Sequence, residues 1–158
     1  MKKVLNLSMF LTVVFFLVSC SSDDDSVEVT DVHADLYGTW VSNRVAISGF
    51  GYLDGTSKVS FDSDGGYRSD ISFTVSSTGC DYTLFLVGTF TGDETNVSSN
   101  MNRGEVEITG CTNPTENSTR DYTTAELEAS GTSLNWEIVG NTLELIHTDG
   151  LNRIYVRQ

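Results

Sequence analysis

Groups able to do chemistry are few and scattered in this chain. The two histidines, His33 and His147, lie far apart and neither is near a cysteine. No serine sits in a Gly-x-Ser-x-Gly turn, so neither a serine triad nor a thiol–imidazole pair is spelled out. Acidic pairs are plentiful: Glu105 and Glu107, Glu126 and Glu128. Two carboxylates across a bond are what glycoside hydrolysis needs. Pairs two apart on alternating strands, however, share one solvent face, where they solubilise rather than catalyse. Asp62, Asp64 and Asp70 could offer oxygens to a calcium ion, but the Asp-x-Asp is not continued into a loop ending in glutamate, and a turn explains it better. No glycine loop opens a helix to cradle phosphate. The expectation is a non-catalytic protein without cofactor or metal.

Composition narrows the partners. Nine basic residues against 22 acidic ones leave a formal charge of −13 in 158 residues. Such a surface repels nucleic acid and offers no basic stripe to overcome the repulsion. Hydrophobic residues at 39% suffice for one core, and the length suits one ordinary domain. A single proline, fourteen glycines and many Ser/Thr favour strands and turns over helices.

The elements that must position any site are therefore strands. Tyr67, Ser69, Ile71, Phe73 and Val75 alternate with polar residues at period two, and Asp62-Ser63-Asp64-Gly65-Gly66 turns the chain from Lys58-Val59-Ser60-Phe61 into them. Residues 80–90 carry apolar side chains on both faces. Residues 105–109, 132–139 and 142–146 alternate again. Asp149-Gly150 predicts a tight hairpin into a last strand over 151–156. Residues 121–129 hold good helix formers but no apolar stripe at helical spacing, which points to a strand. Residues 91–104 and 112–120 read as long polar loops, suited to partner contact. Eight or nine antiparallel strands result. Closure into an up-and-down β-barrel satisfies their edges most simply, and a β-sandwich is the competing architecture.

The first 19 residues form a positive start at Lys2-Lys3 followed by an apolar stretch too short to span a bilayer, as in a secretion signal. Its end, Leu17-Val18-Ser19-Cys20, resembles the lipobox of bacterial lipoproteins. The resemblance implies cleavage before Cys20, which would then carry a diacylglyceryl thioether and an N-acyl chain such as palmitate. Several chains hold where one holds only reversibly. Removing Lys2 and Lys3 takes the formal charge from −13 to −15, which pushes the domain off anionic lipid while the anchor retains it. Ser21-Ser22-Asp23-Asp24-Asp25-Ser26 is similar to the acidic signal that sends lipoproteins of some diderm bacteria to the outer face of the outer membrane; the alternative is a periplasm-facing anchor. Residues 20–34 then form a solvated linker, and residues 35–158 the folded domain.

With Cys20 assigned to lipid, Cys80 and Cys111 remain as an even pair in an exported domain, which reads as one disulfide.

Asp35-Leu36-Tyr37-Gly38-Thr39-Trp40 resembles the Leu-x-Gly-x-Trp opening of lipocalins and of the lipocalin-like domains of bacterial lipoproteins. The hairpins at Val59–Tyr67 and Trp136–Leu145 are similar to theirs. The resemblance implies a lipocalin-like barrel with a tryptophan plug. Its loops are shorter than is usual in that family, so any cavity should be small. Inward aromatics, Trp40, Phe73, Tyr82 or Phe85, Trp136 and Tyr155, are then the expected contacts for a small apolar ligand. The alternative is a filled barrel that docks an envelope protein as a subunit or inhibitor.

Overall fold

Alternating side chains and short turns give nine antiparallel strands in a computed structural model that describes residues 34–148 and 150–158. The expected signal, Cys20, most of the linker and His33 lie outside the described residues. A single 3-10 turn, Ala34–Leu36, precedes β1 (Gly38–Ile47), β2 (Gly51–Phe61), β3 (Gly66–Val75), β4 (Cys80–Gly92) and β5 (Asn96–Thr109). A second 3-10 turn, β6 (Ser118–Asp121) and helix α1 (Thr124–Ser130) follow. The chain ends in β7 (Thr132–Val139), β8 (Thr142–Ile146) and β9 (Arg153–Arg157).

Eight strands close a barrel in the order β1-β2-β3-β4-β5-β7-β8-β9, and β6 lies as an extra strand against the second half of β5. The all-β barrel expected from the sequence is the fold, and the sandwich is not. Among the described residues no helix is long and apolar enough to cross a membrane.

Register fixes which side chains point inward. Trp40 lies opposite Val59, Val59 opposite Ser69, Ser69 opposite Leu86 and Leu86 opposite Gly104, so these share the inner face. The other side of the barrel contributes Leu134 and Trp136 from β7, Leu143 and Leu145 from β8 and Tyr155 from β9, all buried. One end is plugged. Trp40 is fully buried, its indole N–H donates to the Leu36 carbonyl at 2.8 Å, and the Arg157 guanidinium lies 4.3 Å from its ring centroid. Arg157 also donates to the Asp35 carbonyl, which pins the 3-10 turn across that end. Gly38 is needed for its conformation. Its φ of +120° lies where side-chain-bearing residues rarely go, and a Cβ there would meet open space.

Several local expectations are corrected. Residues 121–129 are not a strand: β6 ends at Asp121 and α1 begins at Thr124. A capping box explains the switch, with the Thr123 hydroxyl accepting from the Glu126 N–H while the Glu126 carboxylate accepts the Thr123 N–H at 2.8 Å. Arg120 grips the same carboxylate with two donors at 2.8 and 2.9 Å. Residues 91–104 are not a loop but the tip and first half of the β4–β5 hairpin. The turn into β9 is longer than an Asp-Gly hairpin, because pairing stops at Leu145 opposite Arg153.

The Glu126 carboxyl, held by Arg120 and by the Thr123 donors, sits at about 2, well below its ordinary value. A folded-state value below the unfolded one means stability that is present above the unfolded value and lost as pH falls towards about 2. Acid titration should therefore fray α1 before the barrel. Glu126→Gln should remove that pH dependence, and Thr123→Ala should cost about 1 kcal/mol at neutral pH. Urea midpoints measured between neutral pH and pH 3 check both; pH curves of parallel shape in wild type and Glu126→Gln would contradict the capping account.

Candidate functional site

The barrel is packed at the Trp40 end and hollow beyond it. A cavity of about 130 Å3 opens between β1, β2, β3 and the β7–β9 wall. For scale, a cavity of about 150 Å3 accommodates benzene. Its apolar lining includes Val45, Val59, Ile71, Leu86, Met101, Leu134 and Leu145. Its polar lining comprises Ser57, Ser69, Ser130, Thr132, Tyr67, Tyr155, His147 and Arg153, and among the described residues no acidic side chain borders it.

Each polar group arrives by strand parity. Ser57, two residues before Val59, and Ser69, two after Tyr67, occupy inward positions of β2 and β3 and are buried. Tyr155 points inward from β9 opposite Leu143, and its hydroxyl lies 3.1 Å from the Ser57 Oγ. Burial raises the Tyr155 hydroxyl above its ordinary value, with the Ser57 contact and the Arg153 charge opposing the rise. Burial raises Tyr67 further, beyond the range tyrosines ordinarily occupy. The neighbouring Tyr155 adds to that rise, while Ser69 and Arg153 work against it. Both phenols therefore stay protonated at neutral pH.

Arg153 stands at a discontinuity in the wall. β1 and β9 pair only through Trp40–Arg157 and Val41–Val156. A register shift between Ser42 and Arg44 marks where β1 departs, and farther along Arg153 Nη2 spans the seam to the Ala46 carbonyl at 3.4 Å. Outside the seam runs a groove of about 640 Å3 floored by Val41, Ile154 and Val156. Arg44, Arg153 and Arg157 line it, and among the described residues no carboxylate side chain does. Arg153 and Ala46 border both the groove and the cavity.

Of the aromatics expected to contact a ligand, only Tyr155 borders the cavity. Trp40 and Trp136 belong to the solid end of the core, where Trp136 donates its indole N–H to the Asp93 carbonyl at 3.1 Å. Phe73 takes the inward parity but stacks on Tyr82 at 5.1 Å, bordering a shallow surface depression at the far end of β3 and β4. Phe85 is on the outer face, opposite Asp70 and Glu105, with the Arg68 guanidinium 4.6 Å from its ring centroid. The sequence reading missed Ser57, Tyr67, Ser69 and Arg153. The inward parity of Tyr67 and Ser69 was visible in the β3 alternation, and a hydroxyl at a core-facing position was the available signal.

The other candidates have structural roles. Asp62 and Asp64 build the β2–β3 turn, with Asp64 accepting the Gly66 N–H at 3.1 Å, and Asp70 pairs with Arg68 at 2.7 Å. Glu105 lies on the outer face of β5. Cys80 and Cys111 form the expected disulfide, joining the start of β4 to the segment just after β5. The Glu116 carboxylate approaches both sulfurs, an arrangement with metal-ligand spacing. The bonded sulfurs, however, offer no thiolate to an ion. Compared with protein-family models and with curated proteins, the chain matches none.

Proposed function

We propose that this is a non-catalytic, lipid-anchored envelope protein whose barrel holds one small molecule in the interior cavity. The anchoring half of the reading is supported by the Lys2-Lys3 start, the apolar stretch and the Leu17-Val18-Ser19-Cys20 motif, which together favour export and lipidation at Cys20 in a diderm outer membrane. The binding half is carried by one observation: a cavity of about 130 Å3 with an apolar wall and a few convergent polar groups, the usual make-up of a small-ligand site. Its size sets the occupant at about six non-hydrogen atoms, on the scale of benzene, smaller than the long-chain lipids a wide barrel can take.

A fragment panel tested against the full-length chain by thermal shift checks this. At a hundredfold excess over its dissociation constant, a bound fragment adds about 2.7 kcal/mol. That corresponds to a rise of roughly 8–10 °C for a domain of this size. Ser69→Val puts methyl groups into the cavity and should abolish the rise. No response from any fragment, or an unchanged response in Ser69→Val, would contradict the reading.

A protein partner is the second reading, and one observation favours it. Val139, Ile154 and Val156 are more than half exposed on the outer face of β7–β9.

A further inference from the structure

We infer that residues 27–32 of this chain lie along the outer groove over the β1–β9 seam, their valines towards its apolar floor and their carboxylates beside its arginines. The consequence drawn below for the membrane rests on the anchoring reading above; the docking itself does not.

The groove follows a break in strand pairing. β1 and β9 pair only at Trp40–Arg157 and Val41–Val156, although β1 continues to Ile47 and β9 starts at Arg153. Farther along, side chains cross the seam: the Tyr52 hydroxyl donates to the Asn152 carbonyl at 2.7 Å, and Arg153 donates to the Ala46 carbonyl. Ile154 and Val156 are more than half exposed and form the floor with Val41. A strand edge beside an exposed apolar floor is where an extended segment adds to a sheet.

The chain itself brings such a segment to this place. Val27-Glu28-Val29-Thr30 alternates apolar and polar residues at the period of a strand, and Asp31-Val32 follows. Ala34–Leu36 lies at the Trp40 end, where Arg157, which lines the groove, donates to the Asp35 carbonyl. Five steps of extended chain, about 17 Å, separate His33 from Glu28, and five separate Arg157 from Asn152 at the other end of the groove. A segment that reaches Ala34 along the groove runs opposite to β1, the sense of both strands that pair with β1.

Charge selects this route over the other one beside Asp35. Asp35 also borders a depression that Glu94 and Glu137 line. Residues 23–33 carry Asp23, Asp24, Asp25, Glu28 and Asp31 and no Lys or Arg, so that side repels them. The groove has the opposite sign. The Arg44 guanidinium lies 4.6 Å from the Tyr52 ring centroid and Arg157 lies on Trp40, contacts with neutral rings that leave the positive charge in place. Register sets Asp54 opposite Arg44 and Glu144 opposite Ile154, and both flank the groove without lining it.

Docking shortens the tether. With Cys20 as the anchor, the span from membrane to barrel falls from residues 20–33, about 48 Å at full extension, to residues 20–26, about 24 Å. The anchor then leaves the barrel at the Tyr52 end of the groove instead of the Trp40 end.

Hydrogen exchange of the full-length chain, read by mass spectrometry at neutral pH and low salt, tests the docking. Amides of residues 27–32 should exchange at least tenfold more slowly than in a free peptide of residues 20–33. Glu28→Lys should speed that exchange at least threefold, as should Arg44→Glu, and the two together should restore the protection. Glu28 precedes the barrel in sequence, so its variant keeps the test valid should Arg44→Glu fail to fold. Exchange at the rate of the free peptide, or protection that neither substitution changes, overturns the inference and leaves the anchoring and cavity readings standing. Protection that rises with protein concentration assigns the groove to the segment of a second copy and overturns it as well. The anchoring reading fails separately, if Cys20 of the exported protein carries no lipid by mass.

Discussion

Trp40→Ala should leave little folded protein at physiological temperature. The side chain is fully buried, and truncating a buried tryptophan costs about 3–5 kcal/mol in transfer and cavity terms. Two further losses come with it. The Leu36 carbonyl loses the indole donor at 2.8 Å, and Arg157 loses the ring it lies on. Domains of this kind are stable by about 5–15 kcal/mol in total, so one substitution removes a large share. Phe85→Ala is the control, an equally aromatic truncation on the outer face. Urea unfolding should show a loss for Trp40→Ala at least three times that for Phe85→Ala. Equal losses would mean that Trp40 does not plug the barrel.

Removing the disulfide should have the next largest effect. Cys80 and Cys111 close a loop of 31 positions, and in the chain-entropy model such a loop contributes about 3–4 kcal/mol. Its location raises the consequence. It ties the start of β4 to the segment just after β5, where the last paired residues are Asp81 and Thr109. Cys80→Ala/Cys111→Ala should lower the melting temperature by roughly 10–15 °C. Reductant should lower the wild type by a similar amount and leave the double variant unmoved. A wild type that labels fully with a thiol reagent in its native state would contradict the bridge.

These two effects follow from features legible in the chain. The Leu36–Trp40 motif, the period-two run from Tyr67 to Val75, the Asp62–Gly66 turn and the Gly140-Asn141 turn each specify local structure through parity and turn chemistry, and together they gave a closed barrel. Three places resisted. The first half of β5 is polar, and its pairing shows in hydroxyls meeting across strands, Ser98 with Ser133 and Ser99 with Thr132, rather than in any hydrophobic period. The helix α1 lacks an apolar stripe, and its signal was the Thr123-x-x-Glu126 capping box. Phe85 sits in the unbroken apolar run from Leu84 to Val87, where no alternation says which way a side chain faces; only register against Asp70 and Glu105 places it outside.

The site was less legible than the fold for a related reason. Large aromatics fill a closed barrel as readily as they line a cavity, so Trp40 and Trp136 could not be told from ligand contacts by type. The cavity appears where inward positions carry small hydroxyls, Ser57 and Ser69, in place of bulky side chains. Arg153 enters through a seam created by a register shift in β1, which the pattern of residues around Asn43 does not announce.

Whether a small molecule sits inside the barrel is read out by methyl-resolved NMR of the chain. With a benzene-sized fragment added, nuclear Overhauser contacts should run from ligand protons to the methyls of Met101, Leu134 and Leu145, which meet in one place only if the ligand is in the cavity. Contacts confined to Val41, Ile154 and Val156 in the outer groove, with the interior methyls unmoved, would contradict it.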